Sequence, residues 1–207
     1  MKKLICLLKI LYLDLKPLSR PWYQYFTLPN GLSNYRYVGE RGKLRTELMT
    51  KAINHANLDE NDIVLDVGSN AGVYGFNLYS KVNQYIGVEL DHKFYRQAIF
   101  LLNQFKQYCT VDNILFLNED ILDSTFSIKP TTLILSKVIY HNDIKNNQNK
   151  LLNKLISSSV NKLIIQGHTT QGEKGSHDYI RNIVVDYGFE IVYEDNHYEY
   201  PSIIAVR

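Results

Sequence analysis

The chain is poor in cysteine: Cys6 and Cys109 are the only 2 among 207 residues, and neither stands in a CxxC. That excludes a disulfide framework and a thiolate metal centre, and the two read as reduced thiols of a cytoplasmic protein. Charge of one sign is scarce as well. Lys and Arg outnumber Asp and Glu by 23 to 21, a net charge of +2, too little for a broad basic face that grips nucleic acid. Composition therefore argues against nucleic acid and for a small molecule or glycan as partner. No apolar run is long enough to cross a bilayer. The N-terminal stretch MKKLICLLKILYLDL is interrupted by Lys9 and Asp14 and is followed by no small-residue cleavage pattern. Internal repeats and low-complexity linkers are missing too, and no compact His/Cys/carboxylate set has the spacing of metal ligands.

What is present begins with Leu4, Leu8, Leu11 and Leu15 at helical spacing, with Lys2, Lys9 and Lys16 on another face. The stripe predicts a helix packed on the domain. A basic face opposite a leucine face also suits anionic lipid, so peripheral membrane contact through residues 1–16 is the second reading. An aromatic, turn-rich segment follows, with Pro29-Asn30-Gly31 as a turn between two short extended runs. Residues 1–57 are read as this helix and aromatic cap, and 58–207 as one domain.

From there strands and helices alternate. Compact apolar runs predict strands at 63–66, 84–89, 113–117, 131–136 and 161–166. Helical spacing predicts helices at 43–57, 91–107, 143–158 and 176–187, the last stopped by Gly188 as a C-cap. GFEIVYED and YPSIIAVR close the chain as two strands on a short connection. The order implies an α/β fold, a mostly parallel sheet with helices on both faces and an antiparallel excursion at one edge.

In such sheets ligands bind beyond the carboxyl ends of the strands. The first strand ends in IVLDVGSNAG: Asp66, then Gly68, Asn70 and Gly72 on alternate positions. Glycine accepts positive φ without steric cost and asparagine tolerates it, so this loop lets a ligand approach bare backbone. Glu89 ends the second strand, 21 residues beyond Gly68. A carboxylate there can accept from both vicinal hydroxyls of a ribose. The third strand runs into Asp120-Ile121, suited to an adenine amino group and its neighbouring ring nitrogen. The fourth runs into Ser136, Tyr140 and His141.

These four stretches in order resemble the class I S-adenosylmethionine-dependent methyltransferases, over roughly residues 60–207. VLDVGSNAG, GVELD, NEDIL and LILSKVIYHN look like the family's successive motifs. The resemblance implies a Rossmann-like seven-stranded sheet with an antiparallel last strand, and S-adenosyl-L-methionine as cofactor. It implies that Asp66 and the loop Gly68, Ser69, Asn70, Gly72 hold the methionyl part, Glu89 the ribose, Asp120 and Ile121 the adenine, and backbone around Ser136 the amine and sulfonium side. Asn70 stands where the family most often has glycine, and Thr132 where many members carry an acid.

The expected activity is methyl transfer to oxygen or nitrogen of a small-molecule or glycan acceptor. Two alternatives stay open. An NAD-dependent oxidoreductase is disfavoured by Val73 at the third fingerprint position and by the Asp120-Ile121 pair. A non-catalytic binding module would keep the fold alone. His141, after the fourth strand, is the candidate general base, because an imidazole titrates near neutrality. Its bland reading is a residue that orients the loop. Trp22, Tyr140 and His168 are the candidate acceptor-lining residues, each also readable as packing or solvated loop. Arg41 and Arg45 are candidates to pair with an anionic substrate.

Overall fold

The computed structural model describes residues 24–123, 129–139, 148–156, 159–169 and 176–207, with backbone alone at 35–37 and 148–149. Trp22, Tyr140, His141, the segment 1–16 and part of the predicted helix 143–158 lie outside the described residues.

The elements run α1 (Tyr35–His55), β1 (Ile63–Val67), α2 (Val73–Leu78), β2 (Gln84–Val88), α3 (His92–Phe105), β3 (Ile114–Leu117), β4 (Thr132–Ser136), α4 (Gln148–Leu155), β5 (Lys162–Gln166), α5 (His177–Asp186), β6 (Glu190–Asp195) and β7 (Ser202–Val206). They build a seven-stranded sheet in the order β3-β2-β1-β4-β5-β7-β6. Strands β1 to β5 pair in parallel. β7 inserts antiparallel between β5 and β6. The terminal hairpin thus delivers the antiparallel strand one position inside the edge, with β6 outermost.

Alternation along each strand sorts the core into two layers. Val64, Tyr85, Phe116, Ile134, Ile164 and Ile204 face α1, α2 and α3, where Met49, Ala52, Phe76 and Leu101 meet them. Leu65, Val88, Leu133, Leu135, Ile165 and Ile203 face α4 and α5, closed by Leu151, Leu155, Ile180 and Val184. The parallel strands are therefore apolar on both sides, which is why they read as continuous apolar runs.

Two helices differ from the sequence reading. α1 starts at Tyr35 rather than 43, its first turn joined to the rest across a kink at Gly39 (φ 66°, ψ −176°). α2 has no sequence signal of its own. It is six residues long and five of them are buried, so no amphipathic period can develop. Gly188 ends α5 with φ 76° and donates to Val185 O, as a C-cap glycine should. The Pro-Asn-Gly turn closes a bridge between Thr27 and Ser33. Among the described residues no helix is long and apolar enough to cross a membrane.

Candidate functional site

The sheet order reverses between β1 and β4, and the carboxyl ends of β1, β2, β3 and β4 meet there. The loop leaving β1 takes Gly68 (φ 68°), Asn70 (φ 55°) and Gly72 (φ 71°) into the left-handed region. The sequence reading gave these positions to an approaching ligand, but the chain itself also demands two of them. A Cβ on Gly72 would lie 2.2 Å from the Phe116 ring, and one on Gly68 2.8 Å from Val138. Gly68 and Ser69 donate together to Val88 O, at 2.8 and 3.1 Å, which pins the loop to the end of β2.

Glu89 is the centre of the arrangement. It is 9% exposed, and its two carboxylate oxygens accept from Asn70 N and Asp91 N, both at 2.8 Å. Burial pushes its pKa up, and those backbone hydrogen bonds oppose the shift. A carboxylate offers about four acceptor positions; the two backbone bonds orient it and use only part of that capacity. Asn118, which the sequence reading passed over, donates to Glu89 O and Leu90 O and so ties β3 to β2. It opens the NEDIL stretch, but its task is set by the neighbouring strand and not by that motif. Asp120 is half-buried and accepts from Leu122 N at 2.8 Å, and Ile121 is buried beside it.

Asp66 lies one layer deeper. It is fully buried and accepts the hydroxyl of Tyr85. Its Oδ1 and Ser69 Oγ are buried without a hydrogen-bond partner. Burial, reduced by Tyr85 and reinforced by Glu89, pushes the Asp66 pKa up to about 7.

On the other side of the reversal, Ser136 donates to Gln166 Oε1 at 3.2 Å. Lys137, directly after β4, has φ 63°, is buried, and sets its ammonium 4.3 Å over the Tyr200 ring. The His168 ring lies 5.0 Å from the same ring. Arg41 donates to Tyr200 Oη and to both oxygens of Glu199. Burial lowers the His168 pKa, and Arg41 and Arg45 add to it. His177 starts α5, 3.1 Å from Glu194. A cavity of about 520 Å³ lies behind the loop, between the 25–27 segment, α1 and α2; its lining includes Phe26, Thr50 and Val73 but not Glu89, Asp120 or Ser136. Among the described residues no group of three His, Cys, Asp or Glu side chains could hold a metal ion.

Magnesium protoporphyrin IX methyltransferase from Synechocystis PCC 6803, solved with bound SAM, superposes over 79% of this chain and 78% of its own with a TM-score of 0.60 at 19% identity. The chain has the class I S-adenosylmethionine-dependent methyltransferase fold. The N-methyltransferase NodS from Bradyrhizobium japonicum WM9 covers 77% of this chain and 92% of its own, with a TM-score of 0.60 and 12% identity. No protein-family model matches the sequence. In sequence, the ribosomal RNA small subunit methyltransferase A of Ureaplasma urealyticum is 29% identical over 132 residues, 62% of this chain. That match spans 42% of the curated relative's length. The methyltransferase fold thus serves a protein named for ribosomal RNA as well as one named for a porphyrin, and the expectation that nucleic acid is an unlikely partner is not supported. Its physical weakness is that net charge sums over a whole surface, whereas contact with RNA is local.

Proposed function

We propose that the chain is an S-adenosylmethionine-dependent methyltransferase that modifies oxygen or nitrogen of a small-molecule or glycan acceptor. The observation that carries this reading is the Glu89 carboxylate, buried at the switch point and held by Asn70 N and Asp91 N with acceptor capacity to spare. In this reading Glu89 receives the ribose hydroxyls, Asp120 and Ile121 border the adenine, and the Gly68–Gly72 loop and the Ser136 backbone flank the methionyl part. Asp66 supports the loop from below. The unpartnered Ser69 Oγ and Asp66 Oδ1 fit a loop whose polar set a ligand would complete. The cofactor supplies an activated methyl group whose departure leaves a neutral sulfide.

What remains for the protein is placement, for which effective molarities correspond to roughly 7–11 kcal/mol. A base is needed only for a hydroxyl or a protonated amine. His141 keeps that candidacy from its place after β4, with Tyr140 and Trp22 as candidate acceptor-lining residues. His168, after β5, is a further imidazole, favoured in its neutral form by burial and by Arg41.

The test is thermal stability with S-adenosylhomocysteine, S-adenosylmethionine and NAD in parallel. A ligand at about a hundred times its Kd adds roughly 2.7 kcal/mol, a midpoint shift of about 5–11 °C for a chain of this size. The sulfur ligands should give it and Glu89→Ala should abolish it. A shift with NAD alone would replace this reading with a nicotinamide-dependent oxidoreductase, and no shift with any of the three would leave a binding module. One observation favours a second acceptor class: the sequence match to the ribosomal RNA methyltransferase. Methyl incorporation from labelled cofactor into total ribosomal RNA, set against a small-molecule extract, separates the two.

A further inference from the structure

Six successive amides, from Gly68 to Val73, run through the loop that leaves β1. Five bond within the domain. Gly68 and Ser69 donate to Val88 O, and Asn70 donates to Glu89. Ala71 donates to the Asn70 side chain and Gly72 to Ser69 O. The sixth, Val73 N, opens α2, whose N-cap is Gly72 and therefore has no side chain to offer. Its partner is Gln24 Oε1 at 3.2 Å, reaching in from 49 residues away. Gln24 is 4% exposed, and its main chain is fixed in turn. Gln24 O accepts from Asn34 Nδ2 at 2.8 Å, Asn34 Oδ1 accepts from Phe26 N, and Tyr25 N donates to Thr46 Oγ1 on α1.

We propose that Gln24 is a positioning residue of the cofactor site, through which the segment 24–34 holds the Gly68–Gly72 loop in its binding conformation. The inference rests on the methyltransferase reading above. A loop already in its bound shape spares the ligand the cost of ordering it. Losing the sixth bond frees the start of α2 and, through Gly72, the left-handed turns before it. Gln24 acts through its bond to the start of α2, so its effect appears in binding and not in a chemical step.

The experiment is calorimetric titration of S-adenosylhomocysteine into wild type, Gln24→Met, Gln24→Glu and Thr46→Val, with amide exchange of the 68–78 peptide in the free proteins. Gln24→Met should weaken binding about tenfold and speed exchange of that peptide. Gln24→Glu, which keeps an acceptor oxygen at a helix start, should stay within twofold of wild type. Thr46→Val loosens the segment at α1 but leaves the Gln24 bond to the loop in place, and should lower the melting midpoint while weakening affinity less than Gln24→Met does. Equal affinity in wild type and Gln24→Met overturns the proposal alone. So does equal weakening by Gln24→Met and Thr46→Val, which would reduce Gln24 to general stability. Absence of binding by the wild type overturns the methyltransferase reading and this inference with it.

Discussion

Tyr85 donates its phenolic hydrogen to Asp66, and both residues are fully buried between the sheet and α2. Tyr85 stands on β2 opposite Val64, two residues earlier on β1 than Asp66. The ring therefore leans along the strands beneath Gly75, where a Cβ would come within 2.6 Å of it. The carboxyl group that the sequence places at the head of the loop is thus a buried brace, bonded through one oxygen to Tyr85 while the other has no hydrogen-bond partner. Burial disfavours its ionised form.

From this follows a pH dependence of stability. The native state keeps the Asp66 proton up to about pH 7, whereas the unfolded chain releases it near 3.9. Raising pH between those values favours the unfolded chain, by at most about 4 kcal/mol, and above the native pKa the effect levels off. Urea denaturation of wild type and Asp66→Asn from pH 4 to 8 should show wild type losing ground to the variant up to neutrality. A constant difference would mean that Asp66 titrates like an exposed carboxylate.

Glu89→Gln removes the charge and leaves one oxygen for two amides. Asn70 N or Asp91 N then loses its acceptor, which costs about 1–3 kcal/mol for a buried donor. The larger effect should be on ligand affinity, with S-adenosylhomocysteine bound at least tenfold more weakly by calorimetry. A variant destabilised but binding normally would take the ribose role away from Glu89.

Gly72→Ala meets two obstacles at once, a left-handed φ of 71° and the Phe116 ring 2.2 Å from the new methyl group. The backbone term is roughly 1–2 kcal/mol and overpacking adds about 1–3. Phe116→Leu in the same chain should recover the packing part and leave the backbone part. A double-mutant cycle with no coupling would show that the ring moves away freely.

The parallel strands and the loop were legible in the sequence because each of these strands is a compact apolar run, and β1, β2 and β3 have a carboxylate at or shortly after the carboxyl end. Asp66, Glu89 and Asp120 announce themselves in that way. Asn118, Gln24 and Lys137 do not. The first two act on residues 29 and 49 positions away, and Lys137 is defined by a backbone angle and an aromatic ring supplied by the terminal hairpin. Helix α2 was hidden by its shortness. Asp66 shows the opposite case: its position was legible, but its burial against Tyr85 depends on strand register, which one-dimensional patterning does not contain.

His168 should report the charge of Arg41. Burial and the neighbouring guanidinium both lower its pKa, while Glu199 pulls it upward. Arg41→Gln removes a cation and releases the Glu199 carboxylate from its pairing. Both changes favour the imidazolium, so the midpoint should rise. An NMR titration of the His168 imidazole in the two proteins checks this, and an unchanged midpoint would separate His168 from the Arg41–Glu199 pair.

The amino end of the sheet carries a different buried carboxylate. Asp62 accepts from Lys162 Nζ at 2.7 Å, from Thr131 and Thr132 at 3.0 Å, and from Asp59 N at 2.8 Å. Burial alone would raise its pKa, but Lys162 and the other donors hold it below the usual carboxylate range. A depressed pKa stabilises the fold above the unfolded value, and that contribution is lost as pH falls through the native one. Lys162→Met leaves the carboxylate buried without its cation, so it should cost about 3 kcal/mol at neutral pH. It should also move acid unfolding to higher pH, followed by circular dichroism. Adding Asp62→Asn to the same chain removes the uncompensated charge, and the double variant should be more stable than Lys162→Met alone. If it is instead less stable, the Asp62 carboxylate contributes more through its bonds to Thr131, Thr132 and Asp59 N than its uncompensated charge costs.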